Sequence, residues 1–323
     1  MILVTGGAGY IGSHYVLYER ARGSDVVVLD NMVYGHPEAV LDAPLVVGDL
    51  SDRATLDRIF TEYKVDAVVH FAAFAYVGES VTKPEKYYHN NVVATLGLLD
   101  AMRDHGIRHF VFSSSCATYG NPQYVPMDEK HPQDPINPYG ESKFICEKIM
   151  KAYDHAHGLR FTALRYFNAA GDDPEGRIGE SHDPETHLLP LVLQAAQGKR
   201  EAVTVFGTDY DTPDGTCIRD YIHVLDLAQA HSLALDRMRA GADSGFYNLG
   251  TETGYSVRDV IKTCEKVSGR PVPVKEGPRR PGDPPRLVAS AARAREELGW
   301  RPKYLDLEET LATAWNWEQN RRY

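Results

Sequence analysis

Met1-Ile2-Leu3-Val4-Thr5-Gly6-Gly7-Ala8-Gly9-Tyr10-Ile11-Gly12 opens the chain, and its reading decides the fold. The first five residues form a short buried strand by pattern, the glycines follow at once, and Ser13 to Arg22 reads as a helix. Two spacings are present: G-x-G-x-x-G through Gly7, Gly9 and Gly12, and G-x-x-G-x-x-G through Gly6, Gly9 and Gly12. Glycines let a backbone turn tightly and approach a pyrophosphate, whose charge then meets the helix N-terminus. Val26-Val27-Val28-Leu29 makes a second strand ending in Asp30, near the ~20 residues that separate such glycines from a ribose-binding carboxylate. A carboxylate there accepts from a ribose 2′-hydroxyl and repels a 2′-phosphate, which predicts NAD over NADP.

Outward from this turn, strand patterns at 2–5, 26–29, 45–47, 67–71, 109–113 and 161–166 alternate with helical ones at 53–63, 89–105 and 139–156. That alternation predicts an α/β fold, a doubly wound parallel sheet of the Rossmann kind. In the helix over 89–105, Val92, Val93, Leu96, Leu99 and Met102 are expected mostly in the core. After Phe167 the pattern loosens, with helices expected near 188–198, 226–239, 256–268 and 290–298 and short strands between them. We expect residues 1–167 to form the NAD-binding domain and 168–323 a smaller α/β substrate domain, with segments near 219–250 returning to the first. The 323 residues suffice for two cores.

The net charge of -10 argues against nucleic acid or an anionic membrane as partner, since both need a concentrated basic face. Cys116, Cys146, Cys217 and Cys264 are scattered, with no C-x-x-C and no short-spaced histidine partners; no metal is expected, and reduced thiols point to the cytoplasm. No run of ~18 apolar residues predicts a membrane span.

Asn137-Pro138-Tyr139-Gly140-Glu141-Ser142-Lys143 sets a phenol and an ammonium one helical turn apart. A nearby cation favours the phenolate, so Tyr139 is the candidate acid/base and Lys143 its electrostatic partner. Three clusters fall at strand ends, where open sheets bind ligands: Asp49 in Val46-Val47-Gly48-Asp49-Leu50, His70-Phe71-Ala72-Ala73, and Ser113-Ser114-Ser115. Asp49 is expected near the adenine, the small residues beside the cofactor, and Ser115 on either the Tyr139 oxygen or a substrate hydroxyl.

Together with Leu164-Arg165-Tyr166-Phe167-Asn168, these motifs resemble the extended short-chain dehydrogenase/reductase superfamily. Val77-Gly78-Glu79-Ser80-Val81, Arg219-Asp220-Tyr221-Ile222-His223-Val224 and Tyr247-Asn248-Leu249-Gly250 narrow the likeness to its UDP-glucose 4-epimerase family, over nearly the whole chain. The resemblance implies an NAD-dependent isomerase that interconverts UDP-glucose and UDP-galactose through a 4-keto sugar and bound NADH. Catalysis would fall to Tyr139, Lys143 and Ser115. The cofactor shell it implies is Gly6, Gly9, Tyr10, Ile11, Gly12, Asp30, Asn31, Asp49, Leu50, Phe71, Ala72, Ala73, Asn90, Ser113, Tyr139, Lys143 and Phe167. For the UDP-sugar it implies Ser115, Tyr139, Asn168, His187, Leu188, Thr204, Val205, Phe206, Arg219, Arg280 and Asp283.

Four departures from the family pattern stand out. His187 replaces the commoner Asn, Ala75 replaces a Lys found in some members, the region after Asn31 is short, and Leu287 is intermediate between the bulky and small residues that govern room for an N-acetyl group, leaving UDP-GlcNAc and UDP-GalNAc open as further substrates. Alternatives are a dehydratase or decarboxylase of the same superfamily, or a silent NAD-binding regulator. A dehydratase carries Asp-Glu where this chain has Cys116-Ala117, and a regulator would lack Tyr139 or Lys143. The apolar helices at 89–105 and 139–156 predict a homodimer.

Overall fold

In β1 (Ile2–Thr5) successive side chains point to opposite faces, Ile2 and Val4 into one core and Leu3 into another. The strand is therefore covered on both sides, as a parallel sheet requires. A computed structural model of the chain describes residues 1–280 and 282–323. After β1 come α1 (Tyr10–Ala21), β2 (Val26–Asp30), β3 (Leu45–Val47), α2 (Arg53–Glu62), β4 (Ala67–His70), α3 (Val77–Thr82) and α4 (Pro84–Tyr87). Next are α5 (Ala94–Asp104), β5 (His109–Ser113), α6 (Pro138–His157), β6 (Arg160–Arg165) and β7 (Asn168–Ala170). The remainder holds α7 (Leu188–Ala196), β8 (Val203–Phe206), β9 (Ile218–Arg219), β10 (Tyr221–His223), α8 (Val224–Arg239) and β11 (Gly245–Asn248). It ends with β12 (Tyr255–Ser256), α9 (Val257–Ser268), β13 (Val274–Gly277), β14 (Arg286–Leu287) and α10 (Leu307–Gln319).

The main sheet is parallel and runs β11-β6-β5-β4-β1-β2-β3. Its seventh strand, β11, comes from the late segment expected to return. Tyr15 and Val16 of α1 pack with Leu227, Ala234 and Leu235 of α8 on one face, while Leu98, Leu99, Cys146 and Met150 of α5 and α6 cover the other. A third core joins α7, α9 and α10 around Val192, Val260, Leu311 and Trp315.

The structure departs from the predicted elements in several places, α3 and α4 among them, which lie outside the expected helices. The helix expected over 89–105 is interrupted by a π-helical turn, Tyr88–Val93, before α5. That turn shifts the register, so Thr95, Leu98, Leu99 and Met102 face the core while Val93 and Leu96 are 56% and 37% exposed. The helix expected over 290–298 shrinks to a turn at Ala294–Leu298, because the backbone at Val288 and Ser290 is already hydrogen-bonded to Met127, at 2.9 and 2.7 Å. α10 was not anticipated, although Asp306 caps it through the Glu308 amide and Leu307, Leu311, Ala314 and Trp315 repeat at helical spacing.

One buried network fixes α6 against the sheet. Arg165, at the end of β6, holds Glu147 of α6 with two bonds, Nε to Oε1 at 2.9 Å and Nη2 to Oε2 at 2.7 Å, and both side chains are almost wholly buried. Ser114 and Gln133 each donate to Glu147, while Arg165 also donates to the Tyr119 hydroxyl, which in turn donates to Asn248 at the end of β11. Leaving a buried carboxylate without its partner costs about 3–5 kcal/mol, whereas replacing both charges by apolar groups costs little. Arg165→Met is expected to lower the unfolding free energy by about 3–5 kcal/mol. Glu147→Met in that background should recover part of the loss, and urea midpoints of the two variants check the order.

Candidate active site

The carboxyl ends of the central strands and the later segments enclose one cavity of about 1390 Å³. It opens where the strand order reverses between β1 and β4, the place at which doubly wound sheets bind ligands. The glycine loop forms its floor. Gly6 has φ +71°, and a Cβ there would fall 2.5 Å from the Ala72 amide nitrogen; one on Gly12 would fall 2.2 Å from the Gly6 carbonyl oxygen. A Cβ on Gly9 would meet nothing closer than that carbonyl at 3.4 Å, so the space beside it is left free. Gly7 instead backs onto Val28. Of the two readings of the motif, the cavity is therefore lined by Gly6, Gly9 and Gly12.

Gly9 caps α1 without a side chain, and the first turn carries no acid, so the helix presents bare amides and its positive end to the cavity. The Asp30 carboxylate accepts from the amides of Ala8 at 3.0 Å and Met32 at 2.9 Å. Burial raises its pKa, against the opposing pull of those amides. Asn31 donates to Asp49 at 2.9 Å, and this bond with those of Ser51 holds the Asp49 carboxyl below its ordinary range. Leu50, Phe71, Ala72, Ala73, Asn90, Ser113 and Phe167 complete this wall with Tyr10 and Ile11. A bare helix end flanked by an open glycine and two carboxylates beyond β2 and β3 fits the diphosphate, ribose and adenine of a dinucleotide.

α6 begins at the Asn137 cap, whose side chain accepts from the Gly140 amide at 2.9 Å, and brings Tyr139 and Lys143 to the cavity. Ser115 caps the next turn by accepting from Ala117 at 3.1 Å. Burial raises the Tyr139 pKa, and the Ser115 hydroxyl nearby opposes that rise. Lys143 has close partners of its own. Its Nζ donates to the Ser113 carbonyl at 2.9 Å and lies 4.8 Å from the centre of the Phe112 ring, and its charge acts on His70. His70 is pushed down to about 3, chiefly by burial and then by Lys143, and bonds Thr5 and Thr95 through its two ring nitrogens. Burial lowers Lys143 itself to about 8, with Cys146 and Glu147 opposing.

Across the cavity stand Asn168, His187, Leu188, Thr204, Phe206, Arg219, Arg280 and Asp283, each where the sequence reading expected a lining residue. Arg219 is paired with Asp283, and the Arg280 guanidinium lies 4.0 Å from the centre of the Phe206 ring. Val205 is the exception. Strand alternation turns its side chain away from the cavity into the third core with Val192 and Val272, so Thr204 and Phe206 alone of the triplet line the wall. Sequence reasoning also passed over Glu180, His182 and Glu185, which stand beside His187 at the wall. Burial alone would lower the two histidines, but the carboxylates outweigh it and raise His182 to about 9 and His187 to about 10. The spacing Glu-x-His-x-x-Glu-x-His is their only signal in the sequence.

Residues 2–250 match the model of the NAD dependent epimerase/dehydratase family. The chain belongs to this family. It is 53% identical over 318 residues to the UDP-glucose 4-epimerase of Halalkalibacterium halodurans, covering 98% of this chain and 95% of that one. Among solved structures it is similar to the UDP-glucose 4-epimerase of Brucella ovis in complex with NAD, with TM-score 0.95, 50% identity, and 97% and 96% of the two chains covered. It also matches the enzyme of Bifidobacterium longum in complex with NAD+ and UDP, with TM-score 0.93, 40% identity, and 99% and 98% covered. No helix of the described residues is long and apolar enough to cross a membrane.

The buried Lys143 gives this family member a pH signature. Below about pH 8 the folded state must keep a buried charge. From there to the ordinary lysine value the unfolded chain holds a proton that the folded one has lost, so this contribution to stability rises with pH. Lys143→Met removes the buried charge. Its stability advantage over the parent is expected to shrink from pH 7 to pH 10, and urea midpoints that keep a constant difference would contradict this.

Proposed function

We propose that this chain interconverts UDP-glucose and UDP-galactose by inverting C4 of the hexose, with NAD as its cofactor. The observation that carries the reading is the grouping of Tyr139, Lys143 and Ser115 on the wall of a cavity shared by the glycine loop and the residues across from it. When bound, NAD supplies a reversible hydride acceptor and a cationic ring that favours the phenolate. Tyr139 withdraws the 4-hydroxyl proton as C4 is oxidised to a ketone, and returns it when C4 is reduced on its other face. Ser115 bonds the sugar O4 during both transfers. Lys143 keeps a charge in the buried site and binds the cofactor ribose. The sugar must turn between the two halves of the cycle, so the nucleotide takes the firm contacts and the hexose the loose ones.

Those firm contacts fall to the second half of the chain. Arg219 and Arg280 suit the two phosphates, since guanidinium groups bind such oxygens in pairs. Asn168, Leu188, Thr204 and Phe206 border the nucleotide, the last two at the uracil, and Asp283 meets its ribose. His187 has its Nδ1 turned to Glu185, which leaves Nε2 for the substrate. We assign residues 1–167, with α8 and β11 returning, to the cofactor and the rest of 168–323 to the UDP-sugar. Leu287 lies half-buried at the wall and limits the room beside the sugar, so N-acetylated UDP-sugars are secondary substrates in this reading.

The four cysteines are buried and unpaired, which suits the reducing cytoplasm. Val93 and Leu96 lie on one exposed face beside α6, and we assign that face to a homodimer.

Tyr139→Phe should fold and keep NAD yet lose turnover of UDP-galactose by about 10²–10⁴-fold; near-parental activity in a coupled assay would overturn the assignment. Light scattering should give twice the 36.0 kDa chain mass. Leu96→Glu should halve it, whereas a parental monomer at micromolar concentration would end the dimer assignment.

A further inference from the structure

Ahead of α7 the chain runs Glu180-Ser181-His182-Asp183-Pro184-Glu185-Thr186-His187 along the cavity wall. Four of its side chains converge. One nitrogen or oxygen from each of Glu180, His182, Glu185 and His187 lies within 4.8 Å of all the others. His182 Nδ1 stands 3.2 Å from Glu180 Oε1 and 3.5 Å from Glu185 Oε2, and His187 Nδ1 stands 3.0 Å from Glu180 Oε1 and 2.9 Å from Glu185 Oε1. The two carboxylate side chains are 7% and 6% exposed.

Protein contacts do not satisfy this cluster. His182 Nδ1 and Glu185 Oε2 are buried and make no hydrogen bond among the described residues, although they face each other. A buried carboxylate oxygen without a donor is costly, and folds leave few of them unless a partner comes from outside the chain. One hydrogen bond runs within the cluster, between His187 Nδ1 and Glu185 Oε1 at 2.9 Å, and the others lie behind it and orient it. The amides of Thr186 and His187 both donate to Glu185 Oε1 at 2.8 Å, and the Glu180 amide donates to Asp172 at 2.7 Å. Such backing bonds around a donor set are what hold metal ligands in place.

The donor chemistry names the class of ion. Two imidazoles and two carboxylates suit zinc and its neighbours, whereas calcium and magnesium prefer oxygen throughout. A tetrahedral centre with ligand bonds of 2.0–2.2 Å has ligand-to-ligand edges of about 3.3–3.6 Å, close to the His182 separations here. Metal binding would displace the imidazole protons, after which two carboxylate charges balance one divalent ion. We propose that Glu180, His182, Glu185 and His187 bind a single divalent cation of the zinc class, which clips the segment ahead of α7 to the cavity wall.

The test uses the full-length, NAD-loaded protein after treatment with chelator. Zn²⁺ is titrated by calorimetry and Co²⁺ by visible absorption, with His182→Ala, Glu185→Gln and, as control, His155→Ala on the exposed end of α6. The expected result is one equivalent per chain, a Co²⁺ spectrum of tetrahedral type, and a higher thermal midpoint with metal. Affinity should fall at least tenfold in His182→Ala and Glu185→Gln and hold in His155→Ala. Absence of saturable uptake by the parent overturns the proposal and leaves the four groups as ion pairs. Uptake unchanged in Glu185→Gln, a near-isosteric variant, overturns it as well. Uptake is read without turnover, so its failure is distinct from failure of the proposed reaction.

Discussion

The Glu147–Arg165 pair is the constraint on which the site depends. Removing both charges from water carries a penalty that a single contact would not offset. Here the geometry is bidentate and the remaining oxygen lone pairs are met by Ser114 and Gln133. What the pair supplies is register. It ties one point of α6 to the end of β6, and Lys143 and Tyr139 follow at one and two helical turns before that point. A slip of α6 by one residue would break the pair and swing both side chains off the cavity, so an interaction of modest net stability has a large effect on placement.

Burial on that scale also sets the chemistry. The same low-dielectric surroundings push Tyr139 up and Lys143 down, so both groups are driven toward their neutral forms. The polypeptide alone therefore keeps Tyr139 as a phenol. In the proposed reaction the phenolate is favoured only when positive charge arrives with the dinucleotide, which couples acid/base chemistry to a loaded site. His70 fits this scheme, since it is held neutral between Thr5 and Thr95 and adds no competing charge beneath Lys143.

The far wall is built on another principle. Its contacts come from short strands and loops, and its charges are paired within the protein, Arg219 with Asp283 and the histidines with Glu180 and Glu185. Paired charges keep long side chains ordered at a surface that, in the proposed reaction, meets a diphosphate. They also mean that a ligand must compete with these internal partners.

The glycine loop, the strand that ends in Asp30, the serines after β5 and the Tyr-x-x-x-Lys turn were legible in the chain because each is a local pattern: a backbone requirement, a period of two, or a spacing of four. The doubly wound sheet followed from their alternation. Patterns of this kind do not specify what lies across a cleft. Whether Gly6 or Gly7 lined the cavity depended on Val28 of the next strand, and the loss of Val205 from the wall depended on which face of β8 met the third core. α10 had its cap and stripe in plain view, yet its place was set by Trp317 reaching the Glu180 carbonyl. The partner of Lys143 was decided by Ser113, thirty residues earlier in the chain. Sequence alone determined the local conformations and the identity of the reactive groups. Tertiary packing decided which of those groups are neighbours and how far from water they sit, because distance and dielectric are properties of the folded whole.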